Sequence, residues 1–180
     1  MSGKSKNVTG TIDRGPAAKT RKGPRMSAEK DQKKTVNIGV VGYGYWGPNL
    51  VRNFSELKDA RVHTVADLNP KVLEIVARRF PAATKTTTDF QEMIRDPEID
   101  AVAIATPVNT HFSLAMAALK AGKHVWLEKP MAETSLQARS LVEEAEKRGL
   151  ILHVDHTFIY TGTVRKIKEL VDAGDLGKIL

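Results

Sequence analysis

From Val36 onward the chain alternates short apolar runs with stretches of helical periodicity. Val36 to Val41, Arg61 to Ala66, Asp100 to Ala105, His124 to Leu127 and Leu150 to Val154 have the length and composition of buried strands. Between them the apolar residues fall on helical faces. Asn49 to Leu57 follows the first run. Pro70 stands at a first helical position before Val72, Leu73, Ile75 and Val76, which lead to Phe80. Phe112, Ala115, Met116 and Leu119 recur at helical spacing, and Gly122 is placed to end their helix. Thr134 and Gln137 form a capping-box pattern ahead of Ala138, Leu141, Val142 and Ala145, and Gly149 closes that segment. Val164, Ile167 and Val171 then mark another amphipathic helix stopped near Gly174, and Lys178, Ile179 and Leu180 resemble the start of a further strand.

Strands that alternate with helices need right-handed crossovers, and these give a parallel sheet with helices on both faces. The predicted fold is therefore a doubly wound α/β arrangement. No repeat of solenoid type interrupts it.

Composition changes this picture chiefly at the amino end. The 180 residues carry a formal charge of +7, and residues 1–35, with ten basic and three acidic side chains, supply all of it. The remaining residues hold 18 groups of each sign, so the body lacks the basic face that nucleic-acid binding needs. Residues 1–35 contain no Leu, Phe, Tyr or Trp and are expected to be a disordered, solvated leader. They have no apolar core of a secretory signal, and Met26 is an alternative start. Gly3-Lys4-Ser5 lacks the strand and first glycine of a phosphate-binding loop. There is no cysteine, which removes disulfides, thiolate nucleophiles and Cys-ligated metals from consideration. The one long stretch without formal charge, Ala101 to Leu119, holds Thr106-Pro107-Val108-Asn109-Thr110-His111 at its middle, which a bilayer core would penalise. A soluble, cytoplasmic protein is expected.

The strongest chemical signal is Gly42-Tyr43-Gly44-Tyr45-Trp46-Gly47, a G-x-G-x-x-G directly after a strand and opening a helix. In that context the first glycine makes a tight turn, the second lets backbone approach a pyrophosphate and the third allows close helix packing. The helix N-terminus then faces the phosphate charge. Tyr45 and Trp46 belong to the same candidate cofactor site. Asp67, twenty residues past Gly47, can accept hydrogen bonds from ribose hydroxyls and would repel a 2′-phosphate. Neither Leu68 nor Asn69 offers a cation, so the expected cofactor is NAD.

Thr106 and Pro107 follow the Asp100 to Ala105 strand at its carboxyl end, where open α/β sheets bind ligands. His111 lies five residues beyond Thr106 and reads either as part of that site or as an ordinary helix-start histidine. Glu128, Lys129 and Pro130 end the His124 to Leu127 strand. Lys129, followed by a proline, either reaches a reacting centre or is a surface lysine in an ion pair. His153, Asp155 and His156 do not converge on one strand, whose successive side chains point to opposite faces, so no metal site is expected there.

The run Gly39 to Leu50, the Ala105-Thr106-Pro107 segment with His111, and Ala121 to Val125 leading into Glu128-Lys129-Pro130 together resemble the glucose-fructose oxidoreductase, inositol dehydrogenase and rhizopine-catabolism (Gfo/Idh/MocA) family. The likeness runs from Val36 to Leu180. It implies a Rossmann domain that binds NAD, with Lys129 beside the nicotinamide and the reacting carbon. There Lys129 can take up a hydroxyl proton or stabilise oxyanion charge while hydride moves. Val154 to Phe158 is most similar to members that act on sugars or sugar nucleotides. Many relatives have Gly where Asp155 stands, so no role carries over to it.

The resemblance divides the chain into the leader over 1–35, an NAD-binding Rossmann domain over 36–155, and the opening elements of an α+β substrate domain over 156–180. Relatives continue into that second domain and are expected to be homo-oligomers, so this chain reads as truncated. The implied function is hydride transfer between a sugar, cyclitol or sugar-nucleotide hydroxyl and the nicotinamide. Two alternatives come from other classes. One is a nucleotide-binding module without turnover, since most of the substrate pocket would lie in the second domain. The other is a methyltransferase-like domain using its glycine loop for a different nucleotide, which Asp67 and Glu128-Lys129-Pro130 disfavour.

Overall fold

The computed structural model describes residues 35–80 and 84–178. The predicted leader lies almost wholly outside the described residues, as do Ile179 and Leu180 of the predicted last strand.

Six strands form one parallel sheet: β1 (Val36–Val41), β2 (Ala60–Ala66), β3 (Lys85–Thr87), β4 (Ala101–Ile104), β5 (His124–Glu128) and β6 (Leu152–Asp155). Their order in space is β3-β2-β1-β4-β5-β6. Every adjacent pair is parallel. The chain reverses its direction of winding between β1 and β4, and the carboxyl ends of those two strands border the crevice where doubly wound sheets bind ligands.

The central strands feed two cores, with residues alternating between them along β1 and β4. On one face Ile38, Val40, Val62, Val65 and Ala103 pack with Leu50 and Val51 of α1 (Gly47–Ser55) and Leu73 and Val76 of α2 (Pro70–Arg79). On the other, Val41, Val102, Ile104, Val125 and Leu127 meet α3 (Phe90–Arg95), α4 (Val108–Lys120) and α5 (Ser135–Arg148) through Met93, Leu119 and Leu141. Apolar side chains on both sides of one strand are what a sheet covered on both faces requires.

The helix ends follow the sequence signals. Asn69 caps α2 by accepting from the Lys71 N–H, with Pro70 just inside. Thr134 Oγ1 accepts from the Gln137 N–H at 3.2 Å, but Gln137 Oε1 reaches back to the Glu133 N–H rather than that of Thr134, so the predicted box closes one residue early. Gly149 and Gly174 take left-handed backbone after α5 and α6 (Gly162–Ala173). β3 and α3 are additions to the predicted elements. At the amino ends of β4 and β5, the buried Lys123 donates to the carbonyls of Asp96 at 2.7 Å and Ile99 at 2.8 Å, fixing the turn between α3 and β4. After β6 a 3-10 turn (Thr157–Tyr160) leads into α6, and neither segment buries any residue.

Candidate cofactor site

The predicted site residues gather at the carboxyl end of the sheet. Gly42 has φ +87, and a Cβ there would lie 2.8 Å from the Ala105 carbonyl oxygen and 2.9 Å from Thr106 Cγ2. The glycine turn after β1 thus lies hard against the turn after β4. A Cβ on Gly47 would lie 2.1 Å from the Gly42 carbonyl oxygen, so only glycine lets α1 start this close to the strand. Around Gly44 the position is reversed: its Cβ would meet nothing within 4 Å, and the backbone faces open space. No side chain caps the first turn of α1, and Pro48 sits in it without an N–H of its own. An anion in front of Gly44 would therefore meet backbone rather than a competing side chain.

Asp67 directly follows β2. Its Oδ2 accepts the Tyr43 N–H at 2.7 Å and its Oδ1 the Asn69 N–H at 2.9 Å, which fixes the carboxylate beside the glycine turn. Each carboxylate oxygen keeps a further lone pair. Leu68 beside it is 90% exposed. Tyr43 itself turns inward and packs with Ile38, Val40 and Leu50, while Tyr45 and Trp46 stay at the surface in an edge-to-face pair.

Across the crevice, Thr106 Oγ1 and Thr110 Oγ1 lie 2.7 Å apart, and the Pro107 carbonyl accepts from Thr110. Glu128 is buried at the end of β5, and its Oε2 accepts the backbone N–H of Lys129 at 3.2 Å. Burial above all, and then the Asp155 carboxylate that stands in register with it on β6, push the Glu128 carboxyl above the ordinary range. Lys129 is exposed at this end, and the Lys129–Pro130 peptide is cis.

His111, expected either in the cofactor site or as an ordinary helix-start histidine, lies at the start of α4. It is only 1% exposed, with Nδ1 2.8 Å from the Pro130 carbonyl oxygen and Nε2 2.8 Å from that of Thr106. Both ring nitrogens face protein carbonyls, so the residue lies beneath the crevice. His153 stacks on Trp126, and Asp155 stands in register with Glu128. Among the described residues a different group, His63, Asp96 and Glu98, brings ligand-type atoms within 4.8 Å of one another. Lys85 Nζ lies 3.5 Å from Asp96 Oδ2 and 3.7 Å from Glu98 Oε2, so an ammonium already meets both carboxylates. The Glu98 backbone N–H, with Lys85 and His63, holds the Asp96 carboxyl below its usual range. This group reads as an ion-pair cluster.

Residues 36–156 match the family model described as "Oxidoreductase family, NAD-binding Rossmann fold". The chain belongs to the Gfo/Idh/MocA oxidoreductase family. Its similar proteins include myo-inositol 2-dehydrogenase of Thermotoga maritima, 32% identical over 79% of this chain and 42% of that protein. The NADP(+)-dependent scyllo-inositol 2-dehydrogenase of Bacillus subtilis is 31% identical over 81% of this chain and 40% of its own length. Among solved structures, scyllo-inositol dehydrogenase of Lactobacillus casei with bound NAD(H) and scyllo-inositol superposes with a TM-score of 0.71, at 28% identity, over 81% of this chain and 43% of that one. The chain thus spans about two fifths of the length of the curated relatives it matches.

The matched part of the Gfo/Idh/MocA chain is the family's NAD-binding domain, and its residues fit a dinucleotide. Gly44 leaves room for a pyrophosphate, Asp67 stands ready beside the loop, and the carboxyl ends of β1 and β4 frame the crevice.

Proposed function

We propose that this chain is the NAD-binding domain of an oxidoreductase that moves hydride between a nicotinamide and a hydroxyl-bearing carbon of a sugar, cyclitol or sugar nucleotide. The observation that carries the reading is the joining of the glycine turn to Asp67 at the switch point of the sheet. In this reading the backbone around Gly44 and the first turn of α1 hold the pyrophosphate. Asp67 accepts from the ribose hydroxyls, and its charge favours NAD over NADP. Thr106 and Pro107 line the crevice on the β4 side, with Tyr45 and Trp46 at its mouth. When bound, the nicotinamide accepts or returns the hydride.

Lys129 is the residue placed to take up or return the hydroxyl proton. Its backbone is fixed through Glu128, and its side chain is exposed at the carboxyl end of β5. The division into an NAD-binding domain over 36–155 and a substrate domain starting at residue 156 is part of the same reading. That β6 gives way there to segments that bury nothing supports it. A cytoplasmic setting belongs to the same proposal; among the described residues no helix is long and apolar enough to cross a membrane.

The test is a thermal-shift comparison of NAD, NADP and S-adenosylmethionine. A ligand bound at a hundredfold excess over Kd stabilises by about 2.7 kcal/mol. NAD is expected to raise the melting temperature most, and a larger shift with S-adenosylmethionine would overturn the reading.

A further inference from the structure

Among the described residues, the buried His111 bridges the turns after β4 and β5, on the β4 side of the crevice. Its Nε2 meets the Thr106 carbonyl, just after β4, and its Nδ1 meets the Pro130 carbonyl, just after β5, each at 2.8 Å. β4 and β5 pair in register from Ala101↔His124 to Ile104↔Leu127, and beyond that last pair no ladder bond holds the two chain segments together. The imidazole takes over where the ladder stops. Lys129 is consequently flanked on both sides, by Glu128 Oε2 at its own N–H and by His111 Nδ1 against the carbonyl of the next residue.

We propose that His111 is a positioning residue, which sets the separation between the Thr106 turn and Lys129 without touching the cofactor. The proposal rests on the cofactor reading given above. One rigid ring set against both carbonyls, with a neutral imidazole donating to one of them, leaves little freedom between the Thr106 turn and the Lys129–Pro130 turn. A purely structural histidine would add stability alone, whereas this one should affect ligand affinity out of proportion to its effect on folding.

Lys123 supplies the comparison. It is likewise buried and ties two carbonyls together, but at the amino ends of the strands, away from the crevice. The experiment measures NADH affinity by fluorescence titration, and melting temperature, for the 180-residue chain and its His111→Phe, His111→Gln and Lys123→Met variants. His111→Phe keeps the ring volume and loses both contacts. His111→Gln keeps one amide donor, so it guards against a variant that fails to fold. His111→Phe is expected to weaken NADH binding by about tenfold, roughly the worth of one good hydrogen bond, with His111→Gln in between. Lys123→Met should lower the melting temperature at least as much and leave NADH affinity unchanged. A wild-type chain that binds NADH while both His111 variants bind it equally well would overturn this inference alone, as would an equal loss of affinity in Lys123→Met. A wild-type chain that binds no NADH would overturn the cofactor reading and this inference with it.

Discussion

The backbone N–H of Tyr43 donates to Asp67 Oδ2 at 2.7 Å, so the glycine turn after β1 and the acidic residue after β2 form one unit. Asp67 is thus an acceptor for the turn and, in the function proposed above, also a negative charge beside the ribose. Asp67→Ala leaves the Tyr43 N–H unpaired and is expected to cost about 1–3 kcal/mol in urea unfolding. Asp67→Asn keeps an acceptor oxygen and should cost less. Both should narrow the preference for NADH over NADPH. Equal unfolding midpoints for Ala and Asn would show that the bond to Tyr43 contributes nothing.

Gly44 and Gly47 are expected to fail differently. Gly47→Ala drives a methyl to 2.1 Å from the Gly42 carbonyl oxygen and should lower stability by more than the ~1–3 kcal/mol of ordinary overpacking. Gly44→Ala meets nothing within 4 Å and should stay within about 0.5 kcal/mol of the parent, yet bind NADH more weakly because its methyl enters the space for the pyrophosphate. Thermal melts and NADH titrations on the pair give the answer. Undiminished NADH binding by Gly44→Ala would remove the pyrophosphate from that position.

The Tyr43 hydroxyl is buried without a hydrogen-bond partner among the described residues. Tyr43→Phe removes an unpaired polar group from a core that includes Val40, Leu50 and Val65, and should be neutral or stabilising by about 1 kcal/mol. A clear loss of stability on urea unfolding would show that the hydroxyl is satisfied after all.

Glu128 should shape the pH dependence of stability. Because burial, and then Asp155, raise its folded pKa, the folded chain keeps a proton that the unfolded chain has released. The stability linked to that proton is present below the ordinary glutamate value and is lost as pH rises through the raised one. Glu128→Gln, which retains an oxygen for the Lys129 N–H, is expected to flatten stability across this window. Urea unfolding between about pH 4 and about pH 8 measures it. An unaltered slope in Glu128→Gln would place the titration elsewhere.

The sheet and its helices were legible in the sequence wherever several apolar residues repeat, as from Val36 to Val41 or through α4 and α5. β3 was not, because Lys85, Thr86 and Thr87 form an edge strand that buries nothing fully. α3 escaped for a different reason: its buried pair, Met93 and Ile94, is too short to show a period. The glycine turn could be read because steric exclusion by Ala105 and Gly42 acts on backbone and leaves glycine as the only fit. The place of His111 could not be read. Its contact with Pro130 spans 19 positions and exists only once β4 and β5 are paired. The neighbouring Glu128 and Asp155 likewise depend on strand register, which no local pattern contains.

The most direct test of the central claim, that this crevice is built for NAD, is a paired titration of the 180-residue chain with NADH and NADPH, followed by cofactor fluorescence at constant ionic strength. Saturable binding of NADH at one site is expected, clearly tighter than NADPH because the fixed Asp67 carboxylate would repel a 2′-phosphate. Equal affinity for the two cofactors, or no saturable binding of NADH, would contradict it.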